Sequence, residues 1–396
     1  MLGAVMGARA GMDTTQNAGA TPADLAQKLG RLKELSRIDP GNQPLARDCA
    51  DLALRCGDYG LALERLDALL AASPGDLRAR FDRATALIGK RDYPAAIDSL
   101  REILQENPSL TAARINLGLC HYCRGEYAEA RAALDPAYAE GDRSTDLLRL
   151  LVSTYHHLGL MSEAVALADS NAQAASADPA VAGVYALVYL DANQPSKAAK
   201  WMAKALAGNP DSVDGLTVQA TLNAARMLTA HAQEQYERVL QLAPNNGRAW
   251  IGLGALSLLR RDLPQAKTHL ARGLELMPQH VGSWNVLAWS HLVSGEIDAA
   301  DAAFHRALEL NHNFAETQGG LASVAALRGD KEAAERGIEV ALRLDPACMS
   351  AQFARSVIIA RSGDPAAGAR LIKQTMAKLS PGDGSLLSRV IEEAAK

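Results

Sequence analysis

Two thiols and an imidazole are the residues whose types and spacing most invite chemistry. Cys120 and Cys123 form a C-x-x-C pair in the stretch CHYC, and His157 follows Cys123 by 34 residues. Such a pair supports disulfide exchange when a helix N-terminus lowers the pKa of one thiol. Two thiolates and a histidine also suit three corners of a tetrahedral zinc site. The redox reading conflicts with position, because the pair comes late in a helical stretch, just before Gly125, where the helix dipole opposes a thiolate. The zinc reading requires Cys120, Cys123 and His157 to converge. Its alternative is that cysteine serves as a small apolar filler. Nothing else competes as a catalytic constellation. The phosphate-cradling P-loop pattern is missing, and GDGSLLS at 382–388 lacks the strand–elbow–helix setting of a nucleophilic serine. The chain is expected to be non-catalytic, with no cofactor and no assigned metal.

The elements that must carry these residues repeat. Pro40, Pro74 and Pro108 stand 34 residues apart, as do Pro210, Pro244 and Pro278, and Pro346 falls on the same count. A second column is small: Ala62, Ala96, Ala130, Ala164, Ala198, Ala232, Ala266, Ala300, Ala334 and Gly368. A third is bulky, including Leu66, Leu100, Leu134, Met202, Tyr236, Leu270, Phe304, Ile338 and Ile372, with Ala168 as its exception. A fourth holds Gly57, Gly125, Gly159, Gly295, Gly329 and Gly363. Paired antiparallel helices approach closely only where both present small residues, and bulky side chains then fill the flanking gaps. Glycine stops the first helix of each pair by taking a positive φ, and proline closes the second.

Bulk properties agree with a helical repeat and narrow the partners. Of 396 residues, 48% are hydrophobic, 22% charged and only 4% aromatic, and the net charge is −4. That balance favours helices over sheet and gives no general attraction to nucleic acid or anionic lipid. Five cysteines, an odd number, do not read as a disulfide framework, and a reduced cytoplasm, of bacterial flavour, is the expected compartment. No apolar run is long enough to span a membrane, so no membrane insertion is expected.

The segment 248–278 carries Trp250, Leu253, Gly254, Ala266, Leu270 and Pro278 at the spacing W-x2-L-G…A-x3-F…P, with Ser257 in the usual tyrosine place. Trp284, Leu287, Ala300, Phe304 and Ala307 repeat it, and Leu117, Gly118, Gly125 and Ala130 carry it earlier. The chain thus resembles the tetratricopeptide repeat family over nearly its whole length. Ten units are read, beginning at residues 43, 77, 111, 145, 179, 213, 247, 281, 315 and 349. The fold expected is all-α: antiparallel helix pairs stacked as one right-handed superhelical solenoid over 43–382. A disordered leader occupies 1–20, a capping helix 21–42 and a terminal helix 383–396.

The resemblance implies a concave groove lined by places 2, 5, 6, 9, 12 and 13 of each unit, where an extended peptide or amphipathic helix of a partner protein binds. Read there, the N-terminal groove is polar, with Arg47, Arg78, Asn116 and Arg149 among its residues. The fifth to eighth units are apolar, with Leu187, Leu190, Ile251, Leu258, Leu259, Val286, Trp289 and Leu292. The alternative for each aliphatic residue is packing between neighbouring first helices. Trp289 is expected to anchor the partner, Trp250 and Trp284 to pack, Trp201 to be exposed, and His121 to be a satisfied core histidine. Two family uses fit poorly. A lysine/asparagine/arginine carboxylate clamp would meet Asp51 and Asp82 at its asparagine places, and an asparagine ladder finds only Asn116. The function expected is a scaffold for protein–protein interaction. An assembly chaperone for a secretion, pilus or polysaccharide export machine is one alternative, and a regulatory subunit of an enzyme such as a glycosyltransferase is another. Occupation of the groove by a second copy is left open.

Overall fold

The computed structural model describes residues 21–379. The expected leader and terminal helix lie outside the described residues. Every regular element described is helical. Helix α1 (Pro22–Ile38) is followed by ten pairs. Their first helices are α2 (Gln43–Cys56), α4 (Leu77–Gly89), α6 (Thr111–Cys123), α8 (Thr145–His157), α10 (Pro179–Asp191), α12 (Val213–Ala225), α14 (Gly247–Leu259), α16 (Val281–Val293), α18 (Ala315–Arg328) and α20 (Met349–Arg361). Their second helices are α3 (Tyr59–Ala72), α5 (Tyr93–Glu106), α7 (Tyr127–Ala139), α9 (Met161–Ser170), α11 (Pro195–Gly208), α13 (Thr229–Leu242), α15 (Leu263–Leu276), α17 (Ile297–Leu310), α19 (Lys331–Leu344) and α21 (Pro365–Leu379). The chain divides into two compact units, Met1–Gly215 and Leu216–Lys396. None of the described helices is long and apolar enough to cross a membrane.

Short polar side chains start several of these helices. Asn42, Asp76 and Asn246 precede α2, α4 and α14, and each accepts a hydrogen bond from the backbone N–H three residues on. Asp58, Asp92, Asp262 and Asp330 do the same for α3, α5, α15 and α19. Each such bond satisfies one orphan donor of the first turn.

The glycine column marks a conformation that all ten units share. Between the two helices of every pair, the fifteenth residue of the unit is left-handed. Six are glycine; the other four are Arg91 (φ 63°), Asn193 (54°), Met227 (61°) and Arg261 (62°). Asparagine tolerates this region, whereas Met and Arg crowd their Cβ against the backbone. Met227 is 52% exposed, so its side chain contributes little packing. Met227→Gly and Arg261→Gly are therefore expected to raise the unfolding free energy by about 0.5–1 kcal/mol each, after the entropy cost of glycine. Asn193→Gly is expected to change little. Denaturant midpoints measure this, and a loss of stability in both Met227→Gly and Arg261→Gly contradicts it.

The core follows a size compensation between units. The bulky residue at place 24 sits between place 8 of its own unit and place 6 of the next. Leu134 and Leu270 press on Gly118 and Gly254, where an added Cβ would lie 2.5 and 2.6 Å from the leucine. Tyr236 and Phe304 are larger, and the relief comes from the following unit. An added Cβ at Gly252 or Gly320 would lie 2.2 Å from the aromatic ring. Glycine at these places removes the Cβ that would otherwise exclude the facing side chain.

The fourth pair departs from the pattern. α9 has 10 residues where most second helices have 14, and a single 3-10 turn, Ala174–Ala177, follows it. Its sequence lacks the closing proline, having Ser176 there, and has Ala168 in the bulky column. Tyr185 and Tyr189 of α10 are fully buried beside it, with the Tyr189 hydroxyl donating to Asp169 at 2.7 Å.

Candidate functional site

The thiol candidate resolves into packing. Cys120 is 0% exposed, and burial pushes its thiol up to about 12, so it stays protonated at neutral pH. His157 is engaged elsewhere: its Nε2 is 3.1 Å from the Tyr122 hydroxyl, and its ring stacks on Tyr127 at 4.5 Å. Among the described residues no three of His, Cys, Asp or Glu converge where a metal ion would sit. His121 is 5% exposed, with Nδ1 2.7 Å from Glu126.

The polar residues of the first compact unit pair with one another across neighbouring helix pairs. Arg47 of α2 meets Asp76, the N-cap of α4. Arg78 bridges back to Asp51 at 2.8 Å and along its own helix to Asp82 at 3.7 Å. The Ala79 N–H and then the Arg47 guanidinium hold the Asp76 carboxyl below its ordinary value. Asn116 is 3% exposed and donates to the Thr85 hydroxyl at 3.4 Å. Arg149 lies half-buried one turn from Asp146; burial raises the Asp146 pKa, and Arg149 partly offsets that rise. Leu187 and Leu190 of α10 are half-buried.

The expected apolar residues of the second compact unit separate by place. Place 6 is a packing position: Gly252 and Gly320 accommodate the ring of the preceding unit, and Val286 packs beside Leu270, Leu274 and Leu287. Leu292 is 1% exposed and belongs to the core around Phe304. Ile251 is half-buried in the cluster of Leu270 and Leu287. Leu258 keeps partial exposure, and Leu259 beside it is 54% exposed. Two more large apolar side chains are open at the same end of the preceding pair, Met227 at 52% and Leu228 at 46%.

Trp289 is held within the chain. Its indole packs edge-on to Phe304 and Phe353, with centroids 6.2 and 5.2 Å away, and its Nε1 donates to the Ser350 hydroxyl at 3.2 Å. Residues of α16, α17 and α20 thus meet around one ring. They can do so because α18 and α20 approach closely: a Cβ on Gly319 would lie 2.6 Å from the Ala351 nitrogen and 2.7 Å from the Ser350 Cβ. Glu316 of α18 caps the start of α20, accepting from the Met349 N–H at 2.8 Å, the Ser350 N–H at 3.0 Å and the Ser350 hydroxyl. Ser323 donates to the Ser350 carbonyl at 3.0 Å. Cys348, which precedes α20, makes no side-chain cap. A ninth-place tryptophan reads from sequence as a groove anchor; its close tertiary neighbours make it a clasp.

The other tryptophans divide differently from the sequence reading. Trp250 and Trp284 pack and also donate from Nε1 to the carbonyls of Pro244 and Pro278, both at 2.9 Å. Arg114 and Gln318, at the same place in their units, donate to Pro108 and His312. In these four units the fourth place supplies a donor to the carbonyl of the preceding turn, a role that the closing-proline column could have suggested. Trp201, expected to be exposed, is 5% exposed and meets Tyr185 edge-on at 5.0 Å.

Two models of the tetratricopeptide repeat match the chain, over residues 48–111 and 87–151. Among solved structures, the APC/C hetero-tetramer Cut9–Hcn1 is similar at 14% identity and a TM-score of 0.50, covering 93% of this chain and 88% of that one. A tetratricopeptide repeat protein from Parabacteroides merdae ATCC 43184 aligns at 16% identity and a TM-score of 0.44, covering 67% of this chain and 98% of that one. No curated protein matches the chain. At these identities the structural likeness concerns the fold alone.

Proposed function

This chain is a tetratricopeptide repeat protein, and from that premise we propose that it is a non-catalytic scaffold that grips an apolar peptide or amphipathic helix of a partner protein. Proteins of this family generally mediate protein–protein interactions. The observation that carries the finer reading is the apolar rim at one end of the pairs α12–α13 and α14–α15. Met227, Leu228 and Leu259 are each roughly half-exposed there, 52%, 46% and 54%, beside the partly open Leu258. Large apolar side chains grouped at one end of adjacent repeats cost solubility unless a partner covers them. An amphipathic helix presents apolar residues at i, i+3 and i+4, which suits such a strip. The binding surface proposed is therefore Leu258 and Leu259 with the turn Met227–Leu228. Ile251 packs against Leu270 and Leu287, and Leu187 and Leu190 are half-buried.

The test is capture of partners from the native cell by the immobilised protein, with cross-linking. Leu259→Asp, which disturbs an already exposed side chain, and Leu258→Asp/Leu259→Asp are expected to reduce capture by about tenfold or more, as loss of a hot-spot contact does. Helix content by circular dichroism should stay unchanged for Leu259→Asp. Undiminished capture by both variants would remove this surface from the function.

A further inference from the structure

We propose a second binding site, distinct from the apolar rim, in the first compact unit: a lysine-lined cavity that takes an acidic segment of a partner protein, with Asp or Glu at alternate positions of an extended strand. It lies between α11 and the end of the short α9 with the 3-10 turn that follows it. The cavity measures about 360 Å³ and is bordered by Asp169, Gln173, Ser176, Lys197, Lys200 and Lys204, over the rings of Tyr189 and Trp201.

Its charge is unbalanced. Lys197 is matched by Asp169, with Nζ at 2.9 and 3.0 Å from the two carboxylate oxygens. Burial works against the Asp169 charge, but the hydrogen bonds from Lys197 and Tyr189 outweigh it and keep the carboxyl below its ordinary range. That carboxylate is thus committed to one lysine. Lys204 donates to a neutral group, the Ser176 hydroxyl, at 2.6 Å. Its ammonium lies 4.4 Å from the centre of the Trp201 ring, which steadies the cation without neutralising it. Lys200 is exposed and has no ion pair among the described residues. Two positive charges therefore face a cavity that holds one already-paired carboxylate.

The spacing selects the ligand. Lys200 and Lys204 are one helical turn apart, about 6 Å along the axis at 1.5 Å per residue. Side chains two residues apart in an extended peptide lie on one face about 6.6 Å apart. Two carboxylates at i and i+2 therefore meet the two ammonium groups together, whereas a single oxyanion meets only one of them well. The repeat pattern explains why the cavity is local. The fourth unit has Ser176 where the closing proline stands in most units, and it ends α9 at Ser170.

The experiment titrates the full chain at low salt with an N-acetylated peptide alternating glutamate and serine, with its glutamine counterpart, and with inorganic phosphate. Calorimetry and tryptophan fluorescence are the readouts, since Trp201 borders the cavity. The glutamate peptide is expected to bind, weakening as salt rises. Lys200→Gln/Lys204→Gln is expected to weaken it by about tenfold, and Lys200→Gln alone by about threefold. Lys28→Gln/Lys90→Gln, which removes the same charge from other exposed positions, should leave binding within about twofold. Leu259→Asp should leave it unchanged, which separates this site from the apolar rim. Three results overturn the proposal: equal losses in the two lysine double variants, equal binding of the glutamine peptide, or phosphate competing at the same concentration as the glutamate peptide. The last would mean a pocket for one oxyanion instead of a strand.

Discussion

Gly319→Val is expected to destabilise the last helix pair by about 4 kcal/mol, at the upper end of what overpacking costs. The clash is with backbone: an added Cβ would lie 2.6 Å from the Ala351 nitrogen and 2.9 Å from the Ser350 carbonyl carbon, so no rotamer change relieves it. Moving α20 away breaks the Glu316 cap, with its 2.8 and 3.0 Å bonds to the Met349 and Ser350 N–H groups. Hydrogen bonds to a charged group contribute about 1.5–3 kcal/mol each. The same displacement pulls Ser350 from the Trp289 indole, 3.2 Å away. In a repeat array each unit is stabilised mainly by its neighbours, so the damage should stay local. Hydrogen exchange should accelerate in α20 and α21 and stay near parental in α14 and α15. Gly30→Ala is the control. Nothing lies within 4 Å of an added Cβ there, and α1 should gain up to about 1 kcal/mol from the better helix former. Parental exchange rates in α20 of Gly319→Val would refute the close approach of α18 and α20.

Gly320→Ala and Phe304→Leu are expected to be strongly coupled. A Cβ at Gly320 would lie 2.2, 2.4 and 2.6 Å from three atoms of the Phe304 ring, and that ring is 0% exposed and rigid. Gly320→Ala alone should cost about 3 kcal/mol by overpacking. Phe304→Leu alone should cost about 1–2 kcal/mol, through the volume it leaves empty. The double variant puts the third unit's leucine, as at Leu134, against a larger sixth place, and should be at least 1 kcal/mol more stable than the sum of the single changes predicts. A double-mutant cycle by urea denaturation measures this. Strict additivity would show that places 24 and 6 do not share one space.

Both changes lie in the part of the second compact unit where first helices are drawn together, so Trp289 is expected to act on stability. Partner capture should respond to Leu258 and Leu259 instead. The two phenotypes are separable by measuring capture and unfolding on the same variants.

The 34-residue spacing of Pro74, Pro108, Pro244 and Pro278 and the column from Ala62 to Gly368 were enough to determine the all-α class and the helix pairs. The reason is physical: close helix approach needs small residues, turns need glycine or proline, and both requirements recur at each copy of the same local geometry. Sequence periodicity does not tell which of two neighbours fills a shared space. Gly252 and Gly320 read as groove positions until the rings of Tyr236 and Phe304 are seen against them. Leu292 and Leu259, at the twelfth and thirteenth places of their units, look alike as aliphatic groove letters, yet one is 1% and the other 54% exposed. Trp289 depends on Ser350 and Phe353, 61 and 64 residues away, and Trp201 on the ring of Tyr185 in α10. The sequence by itself determined the repeating frame, because that frame is made of contacts between residues at fixed spacing. Tertiary structure alone decided which apolar side chains stay open, because that depends on which neighbour fills each shared space, and where lysines gather over a gap, because that depends on the short α9 and the turn beside α11.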